Sequence, residues 1–149
     1  MKKLAVFLTI TLCFFALSAQ KNKDKEAVSV TKITQEQFKE LIFDYSDTAA
    51  VYKGKKSVIV DFYADWCGPC RKMAPVIDEL ANDYADDIVF YKINVDENKE
   101  IARWFDIRNI PTLLFIKSKN RPQKTIGGYE KAQLKEIIDT YILEKKPAE

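Results

Sequence analysis

Two cysteines, Cys67 and Cys70, are separated by two residues at a predicted junction between a strand and a helix. Residues 58–63, directly before them, are apolar and rich in β-branched and aromatic side chains, which predicts a buried strand. After them, apolar residues recur at helical spacing through residues 73–84. This junction constrains the fold more than any other stretch, because it places Cys67 at a helix N-terminus and Cys70 one turn further along.

The position of Cys67 predicts a reactive thiolate. Unpaired backbone N–H groups and the helix dipole stabilise negative charge there, so the thiol pKa is expected below its usual value of about 8.5. A thiolate attacks a disulfide, and a second thiol such as Cys70 resolves the mixed disulfide. A zinc site is disfavoured because the chain has no histidine and only one further cysteine, Cys13. A purely structural bridge remains an alternative.

The N-terminus predicts export. Residues 2–3 are lysines, residues 4–17 form an uncharged and mostly apolar run, and residues 18–19 are small and suited to cleavage. Residues 1–19 are therefore interpreted as a signal peptide, and the mature protein is expected to be periplasmic or otherwise exported. The apolar run is shorter than the roughly 20 residues of a membrane span, although an uncleaved anchor is an alternative.

The length and charge of the chain limit the number of domains and the kinds of partner that it can have. The 149 residues fit one domain, and 47% of them are hydrophobic, which is enough for an ordinary core. Cleavage after Ala19 would remove two of the 24 basic residues and leave 22 of each sign. This neutral balance does not point to nucleic acid or an anionic membrane surface as a partner. Residues 20–27 are interpreted as a flexible tail and residues 28–149 as the folded domain.

Apolar periodicity along the chain predicts the element order βαβαβαββα. Thr34 and Gln37 form a predicted capping box at the start of the first helix. The other predicted elements are a strand at 28–33, a strand at 88–95, a helix ending near Phe105, strands at 113–116 and 124–127, and a helix at 130–143. Right-handed crossovers would place helices on both faces of a mixed sheet, which is the α/β class.

Four separated stretches resemble the thioredoxin family in their order and spacing. They are residues 60–71 (Val-Asp-Phe-Tyr-Ala-Asp-Trp-Cys-Gly-Pro-Cys-Arg), residues 94–96, residues 110–112 and Gly127. The resemblance covers roughly residues 28–143. It implies a thioredoxin fold, with a central mixed sheet of four to five strands flanked by four helices. The signal peptide and a longer connection at residues 46–56 depart from the family pattern.

The resemblance assigns chemistry to four residues. It implies that Cys67 is the nucleophile, nearer the helix start and the solvent, and that Cys70 is the resolving thiol. Asp61 lies in an otherwise apolar strand, where burial should raise its pKa, and its implied role is proton exchange with Cys70 through water. Lys92 is the implied charge partner of Asp61. The alternatives are that Asp61 only hydrogen-bonds within the core and that Lys92 is an exposed strand residue.

The resemblance also implies a surface that docks substrates. The Ile110–Pro111 bond is expected to be cis and to face Cys67, although only about 5–6% of X–Pro bonds in folded proteins are cis. An extended substrate strand could pair with the backbone beside this bond. For Trp66, simple core packing is the alternative. The expected docking residues are Trp66, Gly68, Pro69, Ile110, Pro111 and Gly127.

Residues and resemblance together predict an exported thiol:disulfide oxidoreductase that reduces protein disulfides through the Cys67/Cys70 dithiol. No dissociable cofactor and no metal are expected. The expected partners are disulfide-containing proteins and a thiol electron donor in the membrane or periplasm, and the protein is expected to be a monomer. Gly68 and Pro69 between the cysteines resemble reducing thioredoxins. A periplasmic thiol oxidant or disulfide isomerase, and a non-catalytic binding subunit with this fold, are the alternatives.

Overall fold

The computed structural model describes residues 28–49, 51–117 and 121–144. The predicted signal peptide (1–19) and tail (20–27) lie outside the described residues. No helix in the described part of the chain is long and apolar enough to cross a membrane. The elements are β1 (Thr31–Lys32), α1 (Gln35–Leu41), β2 (Ser57–Tyr63), α2 (Gly68–Asp83), β3 (Ile88–Asn94), α3 (Lys99–Trp104), β4 (Thr112–Ile116), β5 (Gln123–Ile126) and α4 (Lys131–Tyr141). Their order is the one that the sequence predicts.

The five strands of the described chain form one mixed sheet in the order β1-β3-β2-β4-β5. β1 and β2 run parallel to β3, whereas β4 is antiparallel to β2 and β5 is antiparallel to β4. Parallel neighbours need a crossover connection, which the helices provide. β2 is therefore central, and its carboxyl end leads the chain directly to Cys67. The expected mixed sheet with four helices is confirmed.

The helices cover both faces of this sheet. One buried cluster joins α2 and α4 to the sheet and includes Leu80 and Ile59. A second cluster joins α1 and α3 to the opposite face and includes Phe38 and Val60. Successive side chains of a strand point to opposite faces, so odd and even positions of β2 serve different clusters. Asp61 shares the face of Ile59, and this parity directs its carboxylate towards α2.

The capping box predicted for α1 is present. Thr34 Oγ1 accepts a hydrogen bond from the backbone N–H of Gln37 at 3.3 Å, and Gln37 Oε1 accepts one from the backbone N–H of Thr34 at 2.9 Å. The first of these bonds pairs one of the N–H groups that a helix start leaves free. Phe38, in the first turn after the cap, is fully buried. Local sequence is therefore sufficient to fix where this helix begins.

The first strand is shorter than the sequence predicts. The pattern indicates a strand over residues 28–33, but β1 contains only Thr31–Lys32. Val28 instead pairs with a side chain of α2: its N–H donates to Asn82 Oδ1 at 2.8 Å, and its carbonyl accepts from Asn82 Nδ2 at 3.1 Å. Because these backbone groups are already paired, they do not extend the sheet. The correction arises from a long-range contact that alternation along the chain does not reveal.

Candidate active site

Cys67 and Cys70 form a disulfide with an S–S distance of 2.04 Å. Cys67 is the N-cap residue of α2, and its Sγ accepts a hydrogen bond from the backbone N–H of Cys70 at 3.2 Å. Pro69 lies in the first turn, where the N–H that it lacks would have no partner within the helix. Cys67 thus occupies the helix N-terminus, as expected, and a thiolate at this position is stabilised by the helix dipole.

The two cysteines do not differ in exposure. Both are 3% exposed and form a small buried cluster with Ala64, against which Val95 and Ile110 pack. The expectation that Cys67 lies nearer the solvent than Cys70 is therefore wrong for the oxidised form, because the disulfide holds both sulfurs in one cluster. Their positions on α2 distinguish them: Cys67 caps the helix, whereas Cys70 lies within its first turn.

Asp61 is a buried carboxylate on β2. It is 5% exposed, and its Oδ1 has no hydrogen-bond partner among the described residues. Burial raises the pKa of Asp61 from its ordinary value of 3.8 to about 7, and the positive charge of Lys92 opposes this rise. A carboxyl group with such a pKa can accept or donate a proton near neutral pH. The unpaired oxygen does not fit the alternative in which Asp61 only hydrogen-bonds within the core.

Asp61 and Cys70 line the same cavity, which has a volume of about 150 Å³. Lys92 lines it as well and lies beside Asp61 in the register of β2 and β3. Tyr63, Ala64, Asp65, Arg71 and Ala74 complete the lining. One water molecule takes up about 30 Å³ of liquid, so the cavity can accommodate water between the two groups. The geometry is therefore compatible with proton exchange between Asp61 and Cys70 through water.

Lys92 combines features of both interpretations considered for it. It is half-buried, and its Nζ lies 5.9 Å from the centroid of the Tyr63 ring, within the range of a cation–π contact. Its charge also favours the ionised form of Asp61. Lys92 is therefore a partly exposed strand residue that acts electrostatically on the buried carboxylate. A direct part of Lys92 in the chemistry stays a prediction.

The Ile110–Pro111 peptide bond is cis, as the resemblance implies. Pro111 is buried, and its carbonyl accepts a hydrogen bond from the backbone N–H of Gly127 at 2.9 Å. Gly127 has a φ of 115°, a conformation that favours glycine. Because Ile110 packs against the cysteine cluster, the loop before β4 contacts the disulfide region. The orientation of the cis bond towards Cys67 stays a prediction.

Trp66 is 69% exposed, so core packing is wrong for this residue. Its indole Nε1 donates a hydrogen bond to Asp96 Oδ2 at 2.8 Å. Pro69 is also exposed, and Gly68 is half-buried. An exposed tryptophan offers a large apolar contact area to a partner, which agrees with the expected docking surface. The binding of substrate to these residues is not tested by the geometry and stays a prediction.

Sequence reasoning missed two features of the site. Asp65 and Arg71 line the cavity of Asp61, and Arg71 Nη1 donates to the backbone carbonyl of Asp65 at 2.8 Å. Their position beside the cysteine motif was a signal that could have identified them. A second cavity of about 240 Å³ is lined by Pro69, Lys72, Met73, Val76, Gly128, Tyr129 and Glu130. No local pattern indicates it, because the loop after β5 meets α2 only in the folded chain.

Comparison with known proteins identifies the family. A family model described as thioredoxin matches residues 29–140. The chloroplastic thioredoxin M-type of Pisum sativum is 46% identical over 103 residues, which are 69% of this chain and 60% of that protein. The corresponding protein of Spinacia oleracea is 47% identical over 92 residues, which are 62% of this chain and 51% of that protein. The matched segment thus spans less than two thirds of these plant relatives.

A bacterial relative is matched over almost its whole length. The thioredoxin of Acidithiobacillus ferridurans is 41% identical over 101 residues, which are 68% of this chain and 94% of that protein. A crystal structure of chloroplastic thioredoxin z superposes with a TM-score of 0.63 at 30% identity and covers 76% of this chain and 94% of that one.

The sheet, the helices and the cysteine pair at the start of α2 define a thioredoxin-fold protein with a disulfide within its cysteine motif. The chain belongs to the thioredoxin family. Members of this family need no cofactor, because the disulfide that they oxidise and reduce is part of the chain. The described residues also contain no group of three or more histidine, cysteine, aspartate or glutamate side chains that could hold a metal ion.

Proposed function

We propose that this chain is an exported thiol:disulfide oxidoreductase that reduces disulfides in other proteins. The observation that carries the proposal is the Cys67–Cys70 disulfide at the N-terminus of α2, with the buried Asp61 in the same cavity as Cys70. Cys67 has the position of an activated nucleophile, and Cys70 lines the same cavity as a carboxyl group that can take its proton. Both groups of a two-step exchange are therefore present on one helix turn.

The exchange passes two electrons to the substrate. In the reduced protein, the Cys67 thiolate attacks one sulfur of a substrate disulfide, and the other substrate sulfur leaves as a thiolate that takes up a proton. Asp61 then accepts the proton of Cys70 through water, and the Cys70 thiolate attacks the Cys67 sulfur. The second substrate sulfur leaves as a thiolate that takes up a proton, and the Cys67–Cys70 disulfide is formed. A thiol donor must return two electrons before the next cycle.

The direction of exchange is proposed to be reduction. Gly68 and Pro69 between the cysteines support it, since this pair resembles reducing members of the family. Direction is set by the difference between two reduction potentials, so it also depends on the donor. We assign the donor to the class of dithiols in the membrane or periplasm, and we expect the protein to act as a monomer.

Export is supported by the basic start of the chain and the apolar run at residues 4–17. The mature protein is proposed to begin near Gln20, in the periplasm or another exported location. N-terminal sequencing of protein from the exported fraction of the source cell tests this point. Recovery of intact Met1 in that fraction would reject cleavage, and recovery of the protein only from the cytoplasm would reject export.

A thiol-dependent insulin-reduction assay tests the activity. The purified protein is expected to accelerate the reduction of insulin by a small dithiol, whereas a non-catalytic binding subunit would give no turnover. Equilibration with glutathione tests the direction. The Cys67–Cys70 disulfide is expected to persist against a large excess of reduced glutathione, because the reduced protein is the stronger donor. Complete reduction by a small amount of glutathione would instead identify a thiol oxidant.

A further inference from the structure

Asn94, the last residue of β3, is a buried amide that contacts two loops at once. It is 2% exposed. Its Nδ2 donates a hydrogen bond to Asp65 Oδ2 at 3.1 Å, and its Oδ1 accepts one from the backbone N–H of Asp96 at 2.9 Å. Asp65 belongs to the loop that leads into the cysteine motif, and Asp96 to the loop that follows β3. One side chain therefore joins the two loops.

Trp66 is linked to both of these loops. It follows Asp65 in the chain, and its indole Nε1 donates to Asp96 Oδ2 at 2.8 Å. The indole is mostly exposed, so packing against the core does little to hold it. The carbonyl of Asp65 is further held by Arg71 Nη1 at 2.8 Å. Asn94 is thus hydrogen-bonded to the side chain of Asp65, the residue before Trp66, and to the backbone N–H of Asp96, whose carboxylate binds the indole.

We propose that Asn94 is a positioning residue for protein substrates: its amide holds Trp66 in place for docking beside the disulfide. This inference rests on the proposed function, in which Trp66 is part of the docking surface. A protein substrate binds more tightly to a surface that is already ordered, because less entropy is lost on association. A small disulfide needs only access to Cys67. Asn94 should therefore affect protein substrates selectively.

Asn98 offers a matched control. It is a second buried side-chain amide with both polar atoms hydrogen-bonded. Its Oδ1 accepts from the backbone N–H of Gln35 at 2.8 Å, and its Nδ2 donates to the backbone carbonyl of Asn94 at 3.0 Å. No hydrogen bond joins its side chain to the loop before Cys67 in the described structure. Asn94→Asp and Asn98→Asp each remove one buried donor and add one carboxylate. Both variants should lose thermal stability, but only Asn94→Asp should disturb the loop that carries Trp66.

The test compares kcat/KM for insulin with kcat/KM for a small aromatic disulfide. Asn94→Asp is expected to lower the value for insulin by about fivefold or more, mainly through KM, and to leave the small disulfide within about twofold. Asn98→Asp should leave the ratio of the two values unchanged. Asp65→Ala removes the same contact from the other residue and tests the inference even if Asn94→Asp fails to fold. Asp65 also lines the cavity of Asp61, where a change acts on both disulfides alike, so the ratio of the two values is the readout and should change in the same direction.

A second readout does not depend on turnover. The chain has two tryptophans, so a Trp104→Phe background reports the fluorescence anisotropy of Trp66 alone. Asn94→Asp and Asp65→Ala should lower this anisotropy, and Asn98→Asp should not. If the wild type reduces neither disulfide, the proposed function fails, and the anisotropy still decides whether Asn94 orders Trp66. Unchanged ratios and unchanged anisotropy in both loop variants, or equal changes in Asn98→Asp, would overturn the inference.

Discussion

Two regions next to the Cys67–Cys70 disulfide have opposite character, and we call them the buried side and the exposed side. On one side, Asp61 and Lys92 share a small cavity with Cys70, and the carboxyl group is almost completely buried. On the other side, Trp66 is largely exposed and is held by hydrogen bonds rather than by packing. The buried side can govern protons, because burial brings a pKa close to neutral. The exposed side can govern the choice of partner, because it offers surface.

This difference makes the two sides experimentally separable. Changes on the buried side should alter the pH dependence of stability and rate for every substrate. Changes on the exposed side should alter selection among substrates and leave the pH dependence intact. The cysteines, which belong to both sides, should show the largest effects.

Replacement of each cysteine by serine should abolish turnover in two different ways. Cys67→Ser removes the attacking thiolate, because a hydroxyl is hardly ionised at neutral pH, so no adduct should form. Cys70→Ser keeps the attack but removes the resolving thiol, so partner proteins should accumulate as mixed disulfides through Cys67. Acid quenching followed by non-reducing gels detects these adducts. Adducts found only with Cys67→Ser would reverse the two assignments.

Asp61→Asn should stabilise the protein in a way that depends on pH. The pKa of Asp61 changes from 3.8 to about 7 on folding, so the contribution of this carboxyl group to stability is largest below pH 3.8. It falls between pH 3.8 and about 7, where the unfolded chain ionises and the folded one stays protonated. At about 1.4 kcal/mol per pKa unit, the loss above pH 7 approaches about 4 kcal/mol. Asparagine carries no charge, so the variant should gain up to this amount at pH 8 and almost nothing near pH 4. Urea unfolding across this range measures it.

The same substitution should slow turnover, because Cys70 loses its proton acceptor. We expect a decrease of roughly tenfold to a hundredfold, at or below the lower end of what general acid–base catalysis contributes, and loss of the rate change near pH 7. Asp78→Asn, which removes an exposed carboxylate from α2, is the charge-matched control and should change neither property. An unaltered pH–rate profile in Asp61→Asn would remove this residue from the mechanism.

The buried side could be predicted from the sequence better than the exposed side. Asp61 is conspicuous because a carboxylate inside a run of apolar residues needs an explanation, and local pattern also identifies β2, α2 and the start of α1. Asn94 is not conspicuous, because an amide at the end of a strand is ordinary in sequence. Its importance comes from Asp65, which is 29 positions earlier in the chain.

The sequence also does not predict that the two cysteines are equally exposed in the oxidised protein. The order of the cysteines on α2 follows from the motif, but their equal burial follows from the disulfide and from Ile110 packing against it. The short β1 has the same origin, since Asn82 takes the backbone groups of Val28. Each of these differences depends on a contact between residues far apart in the chain, which periodicity and spacing do not encode.

Among the expected docking residues, Gly127→Ala should destabilise the protein by about 1–2 kcal/mol, because an L-residue is strained at positive φ. An added Cβ would meet no atom within 4 Å, so the expected cost comes from the backbone rather than from a clash. Gly128→Ala is the neighbouring control: its Cβ also meets open space, and no positive φ is found there. Urea unfolding should separate the two variants, and equal stabilities would contradict the assignment of strain to Gly127.

Lys92→Met should give the smallest of these effects. Because Lys92 belongs to the buried side, we expect the substitution to change the pH dependence rather than the choice of substrate. The charge of Lys92 favours the ionised form of Asp61, so its removal should raise the pKa of that carboxyl group above its wild-type value of about 7. The rate change near pH 7 should move to higher pH for insulin and for a small disulfide alike. Stability at pH 8 should fall by less than about 1 kcal/mol, because Lys92 is partly exposed and solvent screens its charge.

Lys92→Arg keeps the charge and should restore the wild-type profile, which separates electrostatics from packing on the Tyr63 ring. If Lys92→Met leaves the profile in place while Asp61→Asn abolishes it, Lys92 is an ordinary strand residue and Asp61 acts without it. If Lys92→Met instead alters the preference for insulin over the small disulfide, this residue belongs functionally to the docking side. The division between the two sides would then separate Lys92 on β3 from Asp61 on β2.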